Sequence, residues 1–271
     1  MANKKFKGKP FLEIFASSLQ EDYRFPLLEF FAFLYALGTF VLANISVVPE
    51  EQSVYGLVSS LMGLPVIIFM ILVFKNIAYG LGGDLEKGTI QTLFSYPLKR
   101  YAIFLAKLLS AVGAALLVLF GIQMFALVVL APAMILPYIS TVMTTYLASL
   151  SYPLLLASVI LLFTLIVRKG GLAIVIGIVM FFAGTIFQSL ATFVSLGIRS
   201  PLLLQILSVV NPSVAMQYHY HNLSVPAENL GTETIWAPTS TEVLTYMGTA
   251  YLLVFAVLLL SYYFFSRRMN L

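Results

Sequence analysis

None of the 271 residues is a cysteine, which excludes disulfides, cysteine-based zinc sites and thiol chemistry outright. Charge is scarce as well. Asp, Glu, Lys and Arg make up 10% of the sequence, against about a quarter of a soluble domain. No G-x-x-x-x-G-K-[ST] run is present, so the chain carries no P-loop for ATP. H-E-x-x-H and G-x-S-x-G are missing too, and no pair of membrane carboxylates is placed for acid–base work. The middles of the apolar runs hold no carboxylate that could relay protons or couple ions, which weighs against a secondary carrier.

What is there is apolar. Hydrophobic residues form 61% of the chain and the mean hydropathy is +0.99. A bilayer core of ~30 Å needs about 20 apolar residues per helical span. Six segments reach that length: 25–45, 54–74, 103–130, 146–167, 171–194 and 243–265. The expected fold is an all-α polytopic membrane protein, a single transmembrane domain over 1–271.

The few charges orient it. Of the 15 Lys and Arg residues, all but Arg199 fall where this reading puts cytoplasm, the side that retains cationic loops during insertion. Lys4, Lys5, Lys7, Lys9 and Arg24 precede the first span, and Arg267 and Arg268 follow the last. Glu50, Glu51, Glu228, Glu233 and Glu242 fall outside. Both termini are therefore expected in the cytoplasm, with the chain multi-pass in the plasma membrane. The net charge of +4 belongs to this topology and implies no nucleic-acid partner. No cleavable signal peptide is expected, because the basic lead-in runs into an acidic, mixed segment.

Residues 10–21 are amphipathic, with Phe11, Ile14, Phe15 and Leu19 at helical spacing. They read as a helix in the cytoplasmic interface, or one docked on the bundle's own surface. Glu29, near the inner end of span one, either snorkels or faces a polar route. In span two Ser59, Ser60, Gly63 and Pro65 allow close helix approach and a kink. Spans four and five are joined by little more than Arg168-Lys169-Gly170, a tight helical hairpin.

Residues 196–242 form a long outer segment. Its start, 201–210, is apolar but too short to span, and reads as a re-entrant or interfacial helix ended at Asn211-Pro212. The remainder is expected to be an irregular external cap. Two sequons, at Asn44 and Asn222, fall outward. Met216, His219 and His221 could hold copper if their loop is extended, and otherwise belong to an ordinary polar loop. No internal repeat of the six spans is evident.

The most patterned polar stretch is GGDLEKGTIQTLFSYPLKR, residues 82–100. Gly82-Gly83 is expected to interrupt the helix leaving the membrane, with Asp84 as N-cap of a new one. Glu86 then falls in the first turn, where the helix dipole favours negative charge. Ile90, Leu93 and Phe94 share a face, with Glu86, Lys87 and Gln91 outward and Pro97 as the stop. A short helix over 84–96 would lie across the cytoplasmic mouth. By physics alone it could equally be a simple connector.

The run Asp84-Leu-Glu86-Lys87-Gly88-Thr89-Ile-Gln-Thr-Leu93, then Pro97, Arg100 and Lys107, resembles the permease subunits of type-2 ABC transporters. It departs from their pattern in carrying Asp84 where Glu is commoner and Ala106 where Gly precedes the lysine. The six-span layout, the amphipathic N-terminal helix and the outer element ending at Asn211-Pro212 are also similar, so the resemblance covers nearly the whole chain.

The resemblance implies that 84–96 is a coupling helix seated on a separate ATPase subunit, with Asp84, Glu86, Lys87, Gly88, Thr89, Arg100 and Lys107 as its motif. It implies partnership with a second permease copy or a related permease. ATP and Mg would be bound by the ATPase subunits, and this chain would have no cofactor and no enzyme site of its own. Spans one, two and five would line the route, making Ser59, Ser60, Gln188 and Thr192 candidate lining residues or simple packing contacts. The expected activity is outward transport of an undetermined substrate. The alternatives are a non-transporting assembly or scaffold subunit and, less favoured, a secondary carrier.

Overall fold

The computed structural model describes residues 10–23, 27–43, 50–94, 98–228 and 231–268. Lys4, Lys5, Lys7, Lys9, Arg24, Asn44 and Pro97 fall outside them. Among the described residues five helices are long and apolar enough to cross a membrane, the composition of a polytopic membrane protein. The first expected span is described only as α2 (Leu27–Ala43). Its 17 residues give ~26 Å at 1.5 Å per residue, short of the ~30 Å core. The described residues thus show five helices long enough to span.

Ahead of α2 lies α1 (Pro10–Asp22). The first spanning helix, α3, runs over Glu51–Glu86, 36 residues, or ~54 Å. It is α-helical to Lys75, π-helical over Asn76–Leu81 and α-helical again to Glu86. A turn at Lys87-Gly88 leads to α4 (Thr89–Phe94). Next come α5 (Arg100–Leu130), α6 (Pro132–Val167) and α7 (Gly170–Ile198). A second π turn, Leu109–Gly113, lies in α5. Each π turn adds one residue to the local helix and re-aims the side chains beyond it.

The centre of the bundle is α6, which packs on α3, on α7 and on the last helix, α10 (Ser240–Arg268). Its buried small residues Ala148, Ser151, Ala157 and Ser158 let neighbouring backbones come close. Ser151 and Ser158 satisfy their hydroxyls on carbonyls three residues back, each at 2.7 Å. α2 lies on α5, and α1 on the start of α5 and its π turn.

The hairpin between α6 and α7 is as tight as expected. Arg168 ends α6 in the left-handed region at φ 57°, a position usually given to glycine. Lys169 is extended and Gly170 starts α7. Gly170 is required by contact, since a Cβ there would lie 2.1 Å from the Ala78 carbonyl oxygen.

Four expectations need correction. Gly82-Gly83 does not interrupt the helix; α3 continues through both, so Asp84 is inside a helix rather than its N-cap. Residues 84–96 are not one helix either. The break comes at Gly88, whose φ of 72° suits glycine alone without strain. Gly63 makes no close helix contact, with nothing within 4 Å of a Cβ placed there. Finally, the described residues of 201–239 form regular elements rather than an irregular cap. After α8 (Leu202–Val210) the chain turns at Asn211-Pro212 into α9 (Ser213–Tyr220). A two-stranded antiparallel hairpin follows, β1 (Leu223–Ala227) with β2 (Gly231–Trp236). Trp236 is buried at its end, 5.5 Å from the Tyr218 ring. A second apolar core, with Tyr55, Leu204, Val214 and Val243, fastens this cap to the bundle.

Candidate functional site

Two places concentrate polar groups, one at each end. The end carrying Lys75, Lys87, Lys107 and Arg168 is called basic below.

At the basic end α3 finishes in the segment singled out by sequence. Glu86 Oε1 accepts a hydrogen bond from the Gly170 N–H at 2.9 Å. This carboxylate therefore sits on the N-terminus of α7, where the helix dipole is positive. Beside it a Cβ on Gly82 would lie 3.1 Å from the Gly170 Cα, so the backbones of α3 and the α6–α7 hairpin are in near contact. Asp84 and Lys107 form an ion pair at 2.8 Å, and Lys107 reaches Glu21 of α1 at 3.6 Å. Arg100 turns inward: it donates to the Ser266 carbonyl at 2.6 Å and its guanidinium lies 5.5 Å from the Phe94 ring centroid. Ile90 anchors α4 in the core at 2% exposure, while Glu86, Lys87 and Thr89 are exposed.

Of the seven candidate coupling residues, Asp84, Arg100 and Lys107 thus brace the chain internally. Gly88 makes the turn. Glu86, Lys87 and Thr89 are the ones that face outward.

Sequence reasoning missed the cluster beneath. Asp22, at the end of α1, is buried between the two π turns. Its carboxylate accepts from the Ser110 hydroxyl and its carbonyl accepts from Lys75 Nζ at 3.0 Å. Tyr23 donates to the Ala111 carbonyl at 2.8 Å, and Asn76 reaches that oxygen at 3.4 Å. Both π turns therefore present backbone or side-chain groups to α1. Burial pushes the Asp22 carboxyl up to about 6, against the opposing pull of Ser110, Lys107 and Lys75. The signal available in sequence was charge pairing: Glu21 and Asp22 precede the first span while Lys75 and Lys107 sit at the same end of their own helices.

Toward the opposite end α3, α6, α7 and α9 line an open cavity of about 530 Å³. Ser59 and Gln188 line it, as expected of pathway residues. Ser60 and Thr192 do not. Ser60 lies on another face of α3, and Thr192 donates to the Gln188 carbonyl at 3.0 Å and pairs with Tyr218 OH at 3.2 Å. Gly63 lies in the wall, which explains the open space above it. Asn211, Ser213 and Gln217, at the end of the cavity away from the basic end, were not foreseen. Among the described residues none of α2 lines this cavity.

The histidines do not form the extended ligand row considered above, because residues 213–220 are helical. His219 Nδ1 donates to the Pro238 carbonyl at 2.7 Å, and His221 Nδ1 lies 3.1 Å from Gln52 Nε2. Among the described residues no group of three or more His, Asp or Glu is placed to hold a metal. Nearby, Glu51 accepts from Thr141 at 2.8 Å and Tyr220 at 2.9 Å. Burial, together with Glu51, pushes the Tyr220 hydroxyl up to about 12.

No protein-family model matches this chain, and no curated protein matches it in sequence.

Proposed function

We propose that this chain is the permease subunit of an ATP-driven exporter of the type-2 ABC class. It would work in the plasma membrane with both termini cytoplasmic, as a dimer with a second permease and with separate ATPase subunits that bind ATP and Mg. The observation that carries this reading is mechanical continuity. The exposed Glu86 ends, and Lys87 and Thr89 directly follow, the helix that walls the cavity with Ser59 and Gly63. Through Gly170 that end also touches α7, the helix that brings Gln188 to the opposite wall. A partner pressing on the turn at Gly88 would move both cavity walls.

The cavity favours transport over a purely structural role. The second copy has a surface available: α7 exposes Phe182, Ile186, Leu190 and Phe193, an apolar face suited to lipid or to another permease. The test is co-purification with the products of neighbouring genes, followed by an ATPase assay. An ATPase subunit should copurify and supply all the hydrolysis. Hydrolysis by the isolated chain, or no ATPase partner at all, would overturn the reading.

A further inference from the structure

The cavity's lining changes in character along the axes of α3 and α7, and the change specifies a chemistry. At its outer end it is lined by amides and hydroxyls from three helices, Gln188 of α7, Gln217 and Ser213 of α9, and Ser59 of α3, with Asn211 at the turn before α9. Ser213 donates to the Asn211 side-chain oxygen at 2.6 Å, so these two present a pre-set donor–acceptor pair. Farther along α3 and α7 the lining becomes mainly Met62, Val66, Ile67 and Phe181, where the Tyr152 hydroxyl is already spent on the Met180 carbonyl. Among the described residues no Asp, Glu, Lys or Arg lines it. A charged group bound there would meet no carboxylate, ammonium or guanidinium to offset the water it gives up, and the one imidazole on the lining, His221, lies 3.1 Å from Gln52 Nε2. A purely apolar guest would strip water from the amides without replacing their hydrogen bonds.

We infer that the cavity binds a neutral amphiphile, a single acyl or alkyl chain bearing an uncharged, hydroxyl-rich head such as a glycoside. Its head is held at the outer end by Gln188, Gln217 and Asn211, and its chain lies along Met62, Val66 and Phe181. The volume, about 530 Å³, is that of an ordinary small-molecule site. As cargo this rests on the transporter reading; as a binding site it does not.

Three photoreactive probes test it, sharing one diazirine-bearing alkyl chain and differing in the head: glucoside, trimethylammonium or sulfate. The full chain, without ATPase, is placed in phosphatidylcholine nanodiscs, irradiated and mapped by mass spectrometry. The glucoside should label α3 and α7 around Met62–Ile67 and Phe181, and unlabelled glucoside should compete. The charged probes should stay at background. Gly63→Phe places a ring in open space and should cut labelling at least tenfold. Gln188→Leu with Gln217→Leu should do the same should Gly63→Phe not fold. Equal labelling by a charged probe, or glucoside labelling unchanged in the variants, would overturn the assignment. Neither result bears on ATPase association, so the two readings fail separately.

Discussion

Gly170 is the residue on which the basic end closes. With a Cβ only 2.1 Å from the Ala78 oxygen, Gly170→Ala must push α3 and the α6–α7 hairpin apart, an overpacking cost of about 1–3 kcal/mol. A lowered thermal midpoint in detergent, larger than for Gly83→Ala where the space is open, is the expected result. Glu86 is the next test, because its carboxylate lies on the α7 N-terminus. Glu86→Lys puts a cation there and should cost about 1 kcal/mol through the dipole, leaving insertion intact. It should nevertheless abolish transport, whereas Glu228→Lys on the exposed hairpin should not. Glu51 is unsuitable as that control, since it bonds Thr141 and Tyr220. Full transport with unchanged ATPase association would make the segment a connector. Asp22 gives a pH signature. Its carboxyl is raised from 3.8 to about 6, so the native state holds a proton that the unfolded chain has released. Its contribution is full below pH ~4 and is lost as pH rises through about 6, worth up to roughly 3 kcal/mol. Asp22→Asn should flatten stability across that window and equal or exceed wild type above it. A wild-type-like slope in the variant would disprove the assignment to Asp22.

Among the elements, the π turns had no sequence signature: NIAYGL and LSAVG read as ordinary span residues by hydropathy and spacing. What they do depends on partners brought together by the fold, since Ser110 and Asn76 meet Asp22 and the Ala111 carbonyl only across helices. Deleting Val112 should convert the second π turn to plain α-helix. The flanking helix keeps its phase, because the deleted residue is the extra one the π turn holds, and only the groups of the turn itself are moved. Asp22 would lose Ser110, and folded monodisperse protein should fall sharply in size-exclusion yield, while deleting Glu228 in the hairpin turn should be tolerated. The outer cap was half legible. The helix ending at Asn211-Pro212 followed from apolar length and proline chemistry, but α9 and the β-hairpin were hidden in a polar stretch whose order comes from Trp236 and Tyr218 packing on the bundle. Gly82-Gly83 misled for a related reason: Gly82 serves close packing on Gly170, the space at Gly83 is open, and neither ends the helix.

For the molecule as a whole, composition was enough to indicate a bundle of spanning helices, because length and hydropathy alone decide which segments fit a bilayer. The cavity was not, since it depends on which faces of four helices converge; only Ser59 and Gln188 were anticipated. The orientation rests on the basic residues. A protease site placed after Gly231 should be cut from outside intact cells, and tags at either terminus should be protected. The opposite pattern would invert the assignment of both ends. Pivoted at its π turn, α3 is a lever with unequal arms. One side has 25 residues of α-helix and the other has 5, about 38 Å and 8 Å respectively. A nudge at the short arm is multiplied roughly fivefold at the far tip, so the mechanical advantage favours reach over force.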